Sequence, residues 1–251
     1  MAVRTSGQLD LTSAGPSCER AVRLPGPWGD LFGIFSCPPQ GAQKAVIVLP
    51  GGGVPSTNHG QTWVRAARGL VERGVAVLRL DYHGVGESPG DIGVIRICEP
   101  FVEDVLAAVD FVQAQGIGRL TLVGTCFGGH STLGALRTIR ADEVLLFDVP
   151  LCEGTFGEDL QRDRPTLEAL RTIERCLQSG TCVELVYGAP DESLETLQEP
   201  AVAGELARLG ERFGPRLKVR VLPVAIHSLP SLDAQAVVVQ RIVDFCLPSD
   251  G

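Results

Sequence analysis

Residues 120–130 read Leu-Thr-Leu-Val-Gly-Thr-Cys-Phe-Gly-Gly-His. An apolar run ends at a cysteine bracketed by Gly124 and Gly128, and a helix-period segment follows it over residues 127–140. The pattern is G-x-C-x-G at a strand-to-helix bend, where a nucleophile sits in a strained backbone and flanking glycines let the helix pack closely. The plainer reading of Cys126 is a small buried residue at a glycine turn. The strand, turn and helix context favours the nucleophile. A cysteine at a helix N-terminus has the dipole and free N–H groups beside it, which favours a partly preformed thiolate.

Two other readings of the stretch fail on single residues. A phosphate-binding loop needs a lysine where His130 stands. Cys126 and His130 have the i, i+4 spacing of metal ligands, but no further ligand cluster accompanies them, so no metal is expected.

Outward from this stretch, continuous apolar runs bounded by Gly, Pro or Asp occupy residues 45–49, 75–80, 120–123, 143–147, 183–187 and 219–224. Continuous rather than alternating hydrophobicity predicts strands buried on both faces. Residues 21–24 and 31–36, around a Pro-Gly-Pro-Trp-Gly turn, read as a preceding antiparallel pair. Helix-period segments lie between the runs, at 61–73, 99–115, 127–140, 194–213 and 231–245. Val102, Val105, Leu106, Val109 and Val112 share one helical face. The alternation predicts an α/β domain, a mostly parallel sheet with helices on both faces. Residues 1–20 read as a flexible leader and 21–251 as one domain. Residues 151–181, charged and only partly helical in pattern, break the alternation and are expected to form a small cap over the strand ends.

The chain has 251 residues, 44% hydrophobic and 21% charged, as for an ordinary globular domain. With 22 Lys+Arg against 30 Asp+Glu the formal charge is -8, and no basic run could follow a phosphate backbone, so nucleic acid is excluded as a partner. No apolar run approaches the about 20 residues of a membrane-spanning helix, and the start lacks a signal-peptide core, so a cytoplasmic protein without membrane insertion is expected. The eight cysteines are scattered without zinc-type spacing. Oligomeric state is left open, a homo-oligomer included.

Downstream, Tyr187-Gly-Ala-Pro-Asp191-Glu-Ser ends a strand in a turn that presents a carboxylate, and Ile226-His227-Ser228 follows the last strand. In the chain order Cys, Asp, His, His227 would take the proton of Cys126 and Asp191 would orient the imidazole. Each alone has a plainer reading, a core histidine or a turn aspartate. Asp148, after the run ending at Phe147, is the rival acid, or else it anchors the cap or meets substrate. Upstream, Leu49-Pro-Gly51-Gly-Gly53 ends a strand in glycines. The N–H of Gly52, with Gly53 beside it, and the N–H of Phe127 are the candidate oxyanion donors. Residues 81–90 begin like a dinucleotide loop, but Pro89 replaces its third glycine. His83 and His59 lie near strand ends, where they would either line the pocket or simply pack or face solvent.

Together, Pro50-Gly51-Gly52-Gly53, Asp81-Tyr-His83-Gly-x-Gly86-x-Ser88, Gly124-x-Cys126-x-Gly128, Asp191 and His227 resemble the α/β-hydrolase superfamily. Within it the chain looks like the serine aminopeptidase-like and thioesterase-like hydrolases, and the Cys-Asp-His set is similar to that of dienelactone hydrolases. The resemblance implies an eight-stranded sheet, a site at the strand ends, and acyl-enzyme chemistry on a small-molecule acyl substrate without a cofactor. A thiolate leaves a tetrahedral intermediate more readily than an alkoxide or amine, which favours thioesters, activated esters and lactones over amides. The expected function is a Cys-dependent esterase, lactonase or thioesterase. The alternatives are an acyltransferase or an acid-eliminating lyase of a natural-product pathway, marked by a dry pocket, and a non-catalytic binding protein.

Overall fold

The computed structural model describes residues 18–151 and 167–247. Eight strands form one sheet: β1 (Cys18–Gly26), β2 (Gly29–Cys37), β3 (Lys44–Leu49), β4 (Ala76–Leu80), β5 (Arg119–Thr125), β6 (Glu143–Phe147), β7 (Cys182–Gly188) and β8 (Leu217–Leu222). Their order across the sheet is β1-β2-β4-β3-β5-β6-β7-β8. β2 runs antiparallel to both β1 and β4, and the remaining pairs are parallel. Every residue of β3 and β4 is buried, which is the physical source of their apolar sequence, interrupted only by Lys44 and Arg79.

Six α-helices cover the two faces: α1 (Thr62–Val71), α2 (Val102–Ala114), α3 (Phe127–Ala135), α4 (Leu167–Gln178), α5 (Pro200–Phe213) and α6 (Leu232–Cys246). The pleat sends alternate strand residues to opposite cores. Ile47 and Leu78 join α2, α4 and α5 on one side, while Val46, Val48 and Val77 join α1 and α6 on the other. On α2, Val105, Val109 and Val112 are buried as their spacing predicts, with Val102 and Leu106 at the margin.

Several boundaries move for local reasons. The helix expected from residue 194 starts at Pro200, because proline fits the first helical turn and lacks the N–H an interior position must donate. Residues Glu192–Gln198 form a 3-10 turn instead. β1 begins at Cys18, inside the stretch read as a leader, whose residues 1–17 lie outside the described residues. Of the segment expected as a cap, residues 152–166 also lie outside them. Residues 167–178 are α4, a crossover helix whose Leu170, Ile173 and Leu177 are buried in the core beside β7 rather than raised over the strand ends.

Candidate active site

Cys126 follows β5 and caps α3 with φ 49° and ψ −117°, a backbone conformation that L-residues rarely adopt. Its N–H donates to the Phe147 carbonyl at 2.9 Å, locking the bend to the end of β6. The glycine spacing has a direct steric cause. A Cβ on Gly128 would lie 2.3 Å from the carbonyl oxygens of both Leu49 and Pro50, and one on Gly124 would lie 2.6 Å from Thr132 Oγ1. Glycine at both positions lets α3 close against β3 and β5, bringing the cysteine beside the glycine turn after β3.

His227 lies beyond β8, and its Nε2 stands 3.3 Å from Cys126 Sγ. Its loop is held by Asp191, at the end of β7, whose Oδ2 accepts the backbone N–H of Ile226 at 2.7 Å and of His227 at 3.2 Å. The carboxylate folds back over Gly188, where a Cβ would lie 2.2 Å from Oδ2. The three residues lie together in the expected chain order, but the hydrogen bonds of Asp191 go to the main chain of Ile226 and His227 and none of them reaches the imidazole it was expected to orient. His227 is exposed and Cys126 is half-buried, so solvent reaches the pair.

Asp148 belongs to the same cluster. Thr125 pairs with Phe147 at the end of the β5–β6 register, so Asp148, the residue after β6, comes next to Cys126, the residue after β5. It is 3% exposed and, like Cys126, has a positive φ, 52°. Its Oδ1 accepts the hydroxyl of Ser193, a residue that no sequence motif marks. Burial and the neighbouring Asp191 push the Asp148 carboxyl up to about 6, against the opposing pull of Ser193 and His227.

The thiol state differs from the expectation of a preformed thiolate. Burial, reinforced by the Asp148 charge, pushes the Cys126 thiol up to about 12, outweighing the hydrogen bond it receives from the Phe127 N–H. At neutral pH Cys126 rests as a thiol.

The glycine turn after β3 lies beside the cysteine. A Cβ on Gly51 would lie 3.9 Å from Cys126 Cβ, and the next residue, Gly52, is packed under Ile95. Gly53 is exposed with φ 70°. The turn is braced from β4: buried Asp81 accepts the N–H of Ser56 at 2.6 Å and of Glu87 at 3.3 Å. The 81–88 segment is therefore a strand-end brace, in keeping with its failed nucleotide fingerprint. His83 lies in a packed network, its Nδ1 2.8 Å from Asp104 and its ring 4.1 Å from that of Phe101, which in turn packs on Phe127. His59 is exposed in a 3-10 turn ahead of α1. Neither histidine's recorded bonds or ring contacts include Cys126 or His227. Among the described residues no group of three or more His, Cys, Asp or Glu could hold a metal ion, and no helix is long and apolar enough to cross a membrane.

The strand order and the single reversed strand β2, with a strained strand-to-helix bend after β5, are those of the α/β-hydrolase fold, and the chain has that fold. Residues 40–146 match the family described as serine aminopeptidase, S33. Solved structures agree over nearly the whole chain. An esterase from Pyrococcus furiosus aligns with a TM-score of 0.66 at 15% identity, covering 97% of this chain and 96% of that one. An α/β serine hydrolase without a lid from Xanthomonas campestris aligns at 0.59 and 20% identity, covering 93% and 97%. A dienelactone hydrolase from Anabaena variabilis aligns at 0.59 and 15%, covering 92% and 97%. No curated protein matches the sequence.

Proposed function

We propose that the chain is a cysteine-dependent acyl hydrolase acting on activated esters, lactones or thioesters. The observation that carries this reading is the 3.3 Å approach of His227 Nε2 to the Sγ of a cysteine on a strained strand-to-helix bend. In the proposed cycle the thiol proton passes to Nε2 as the sulfur electron pair forms a bond to the acyl carbon. The carbonyl π pair moves onto oxygen, held by the N–H of Gly52 and Phe127. The leaving group departs with the proton from Nε2, and water, deprotonated by the same nitrogen, then resolves the acyl-cysteine. Asp191 fixes the loop that presents His227.

Two features support hydrolysis over transfer or elimination. His227 is exposed, which gives water a path to the acyl-cysteine. The structural neighbours include esterases and a dienelactone hydrolase, ester chemistry on the same scaffold. The departure from the serine hydrolase neighbour is sulfur in place of oxygen, which favours substrates whose leaving group outcompetes a thiolate.

The reading is tested by intact-mass spectrometry after brief exposure of the wild type and Cys126→Ala to p-nitrophenyl acetate and short acyl thioesters, with released product followed in parallel. A stoichiometric adduct lost in the variant, and turned over by water, is the expected result. An adduct retained in the variant, or none with any activated ester, sinks it.

A further inference from the structure

Asp148 stands next to the nucleophile in the strand register, and the cycle above gives it no task. Its placement is costly in three ways: a positive φ at a non-glycine residue, 3% exposure for an ionisable carboxyl, and a neighbouring second carboxylate in Asp191. Such costs persist only where the surroundings enforce them, and here they do. The Asp148 N–H donates to the Val186 carbonyl on β7 at 2.8 Å, and the Ser193 hydroxyl, two residues beyond Asp191, holds Oδ1. The titratable groups facing the carboxylate are Cys126, His227 and Asp191.

We infer that Asp148 is a positioning residue for charge in the acylation step: it resists negative charge on Cys126 Sγ and favours positive charge on His227, so the nucleophile is held as a thiol until an acyl carbon accepts its electron pair. The inference rests on the proposed role of Cys126. During acylation the proton leaves sulfur for His227 Nε2, where a nearby carboxylate stabilises it. The negative charge does not stay on sulfur; it moves through the new S–C bond to the substrate oxygen, away from Asp148. One fixed charge therefore disfavours the free thiolate while favouring the imidazolium of the transition state. Asp191, which holds the His227 main chain and does not act directly on the thiol, has a different part.

The two effects can be separated because alkylation follows the free thiolate, whereas acylation follows the transition state. Asp148→Asn retains the shape and the acceptor for Ser193, and asparagine tolerates a positive φ. Iodoacetamide modification of residue 126 is followed by peptide mass between pH 6 and 9, together with burst acylation by p-nitrophenyl acetate. Asp148→Asn is expected to alkylate about three- to tenfold faster at pH 7, by easing thiol ionisation, and to acylate at least about tenfold more slowly. Ser193→Ala, which leaves the carboxylate in place without its clamp, shifts both rates in the same directions by smaller factors. Asp191→Asn slows acylation without speeding alkylation. Alkylation unchanged or slowed in Asp148→Asn overturns the inference, as does acylation as fast as in the wild type. If the wild type is not acylated, the proposed function fails and takes the acylation half of the inference with it; the alkylation comparison then decides the remaining half, the resistance of Asp148 to a free thiolate, which faster alkylation supports and unchanged or slower alkylation refutes.

Discussion

Cys126 and Asp148 stand side by side at the ends of paired parallel strands, and both hold positive φ, 49° and 52°. Strained non-glycine residues cost about 1–3 kcal/mol each. Their adjacency concentrates that cost at the place where the histidine loop also arrives.

The carboxyl of Asp148 makes stability depend on pH. Its value in the folded chain, about 6, lies above its ordinary 3.8, so the folded state binds the proton more tightly than the unfolded one. Its contribution is fully present below about pH 4 and is lost as the pH rises through 6. Asp148→Asn is therefore expected to be more stable than the wild type by about 2 kcal/mol at pH 8 and to match it near pH 3.5. Urea titrations of both proteins at the two pH values read the difference; a variant less stable at pH 8 contradicts the burial argument.

His130, on the first turn of α3, acts at the other end of the scale. It is 7% exposed, and burial pushes its imidazole down to about 4 against a hydrogen bond to the Pro150 main chain. The folded state therefore excludes the proton, and stability falls as the pH drops from 6.5 through 4, by about 3 kcal/mol in all. His130→Gln should flatten that acid limb. Midpoints of thermal unfolding between pH 4 and 7 would show an unchanged slope if the imidazole is not the cause.

Replacing exposed His227 with Ala removes the proton acceptor of the proposed cycle without touching the core. Acylation by activated esters is expected to fall about 10²- to 10⁴-fold with little change in unfolding midpoint. Stopped-flow measurement of the p-nitrophenolate burst checks this, and an undiminished burst would remove His227 from the cycle.

Gly128→Ala places a methyl group 2.3 Å from two main-chain carbonyl oxygens, neither of which can swing aside as a side-chain end would. Loss of more than about 2 kcal/mol of stability, or failure to accumulate as folded protein, is expected. Equal urea midpoints for variant and wild type would show that α3 can slide away from β3 at no cost.

The scaffold was legible because its signals are local. Apolar runs such as residues 45–49 and 144–147 are buried on both faces, and G-x-C-x-G has a packing cause that a sequence displays directly. What was hidden depends on neighbours across strands. Nothing in the sequence around Asp148 states that it adjoins Cys126, since the register that pairs Thr125 with Phe147 is a property of the sheet. The same holds for the thiol: the helix N-terminus argued for ionisation, but desolvation and a carboxylate from the adjacent strand reversed the sign. The turn that carries Asp191 is visible in the sequence, whereas its bonds to the Ile226 and His227 main chain depend on how the loop after β8 folds back. The α4 segment was misread because its polar face dominates the composition, although its apolar stripe fills the core.

Cys126 and His227 are 101 residues apart. A chain growing from the ribosome completes its cysteine bend long before the histidine emerges, and β6, β7 and β8 must all add to the sheet before the two meet. Until then the sulfur has no proton acceptor and sits beside an aspartate that resists its ionisation. The half-made protein keeps its sulfur apart from the imidazole, and their meeting reports that the last strand has docked.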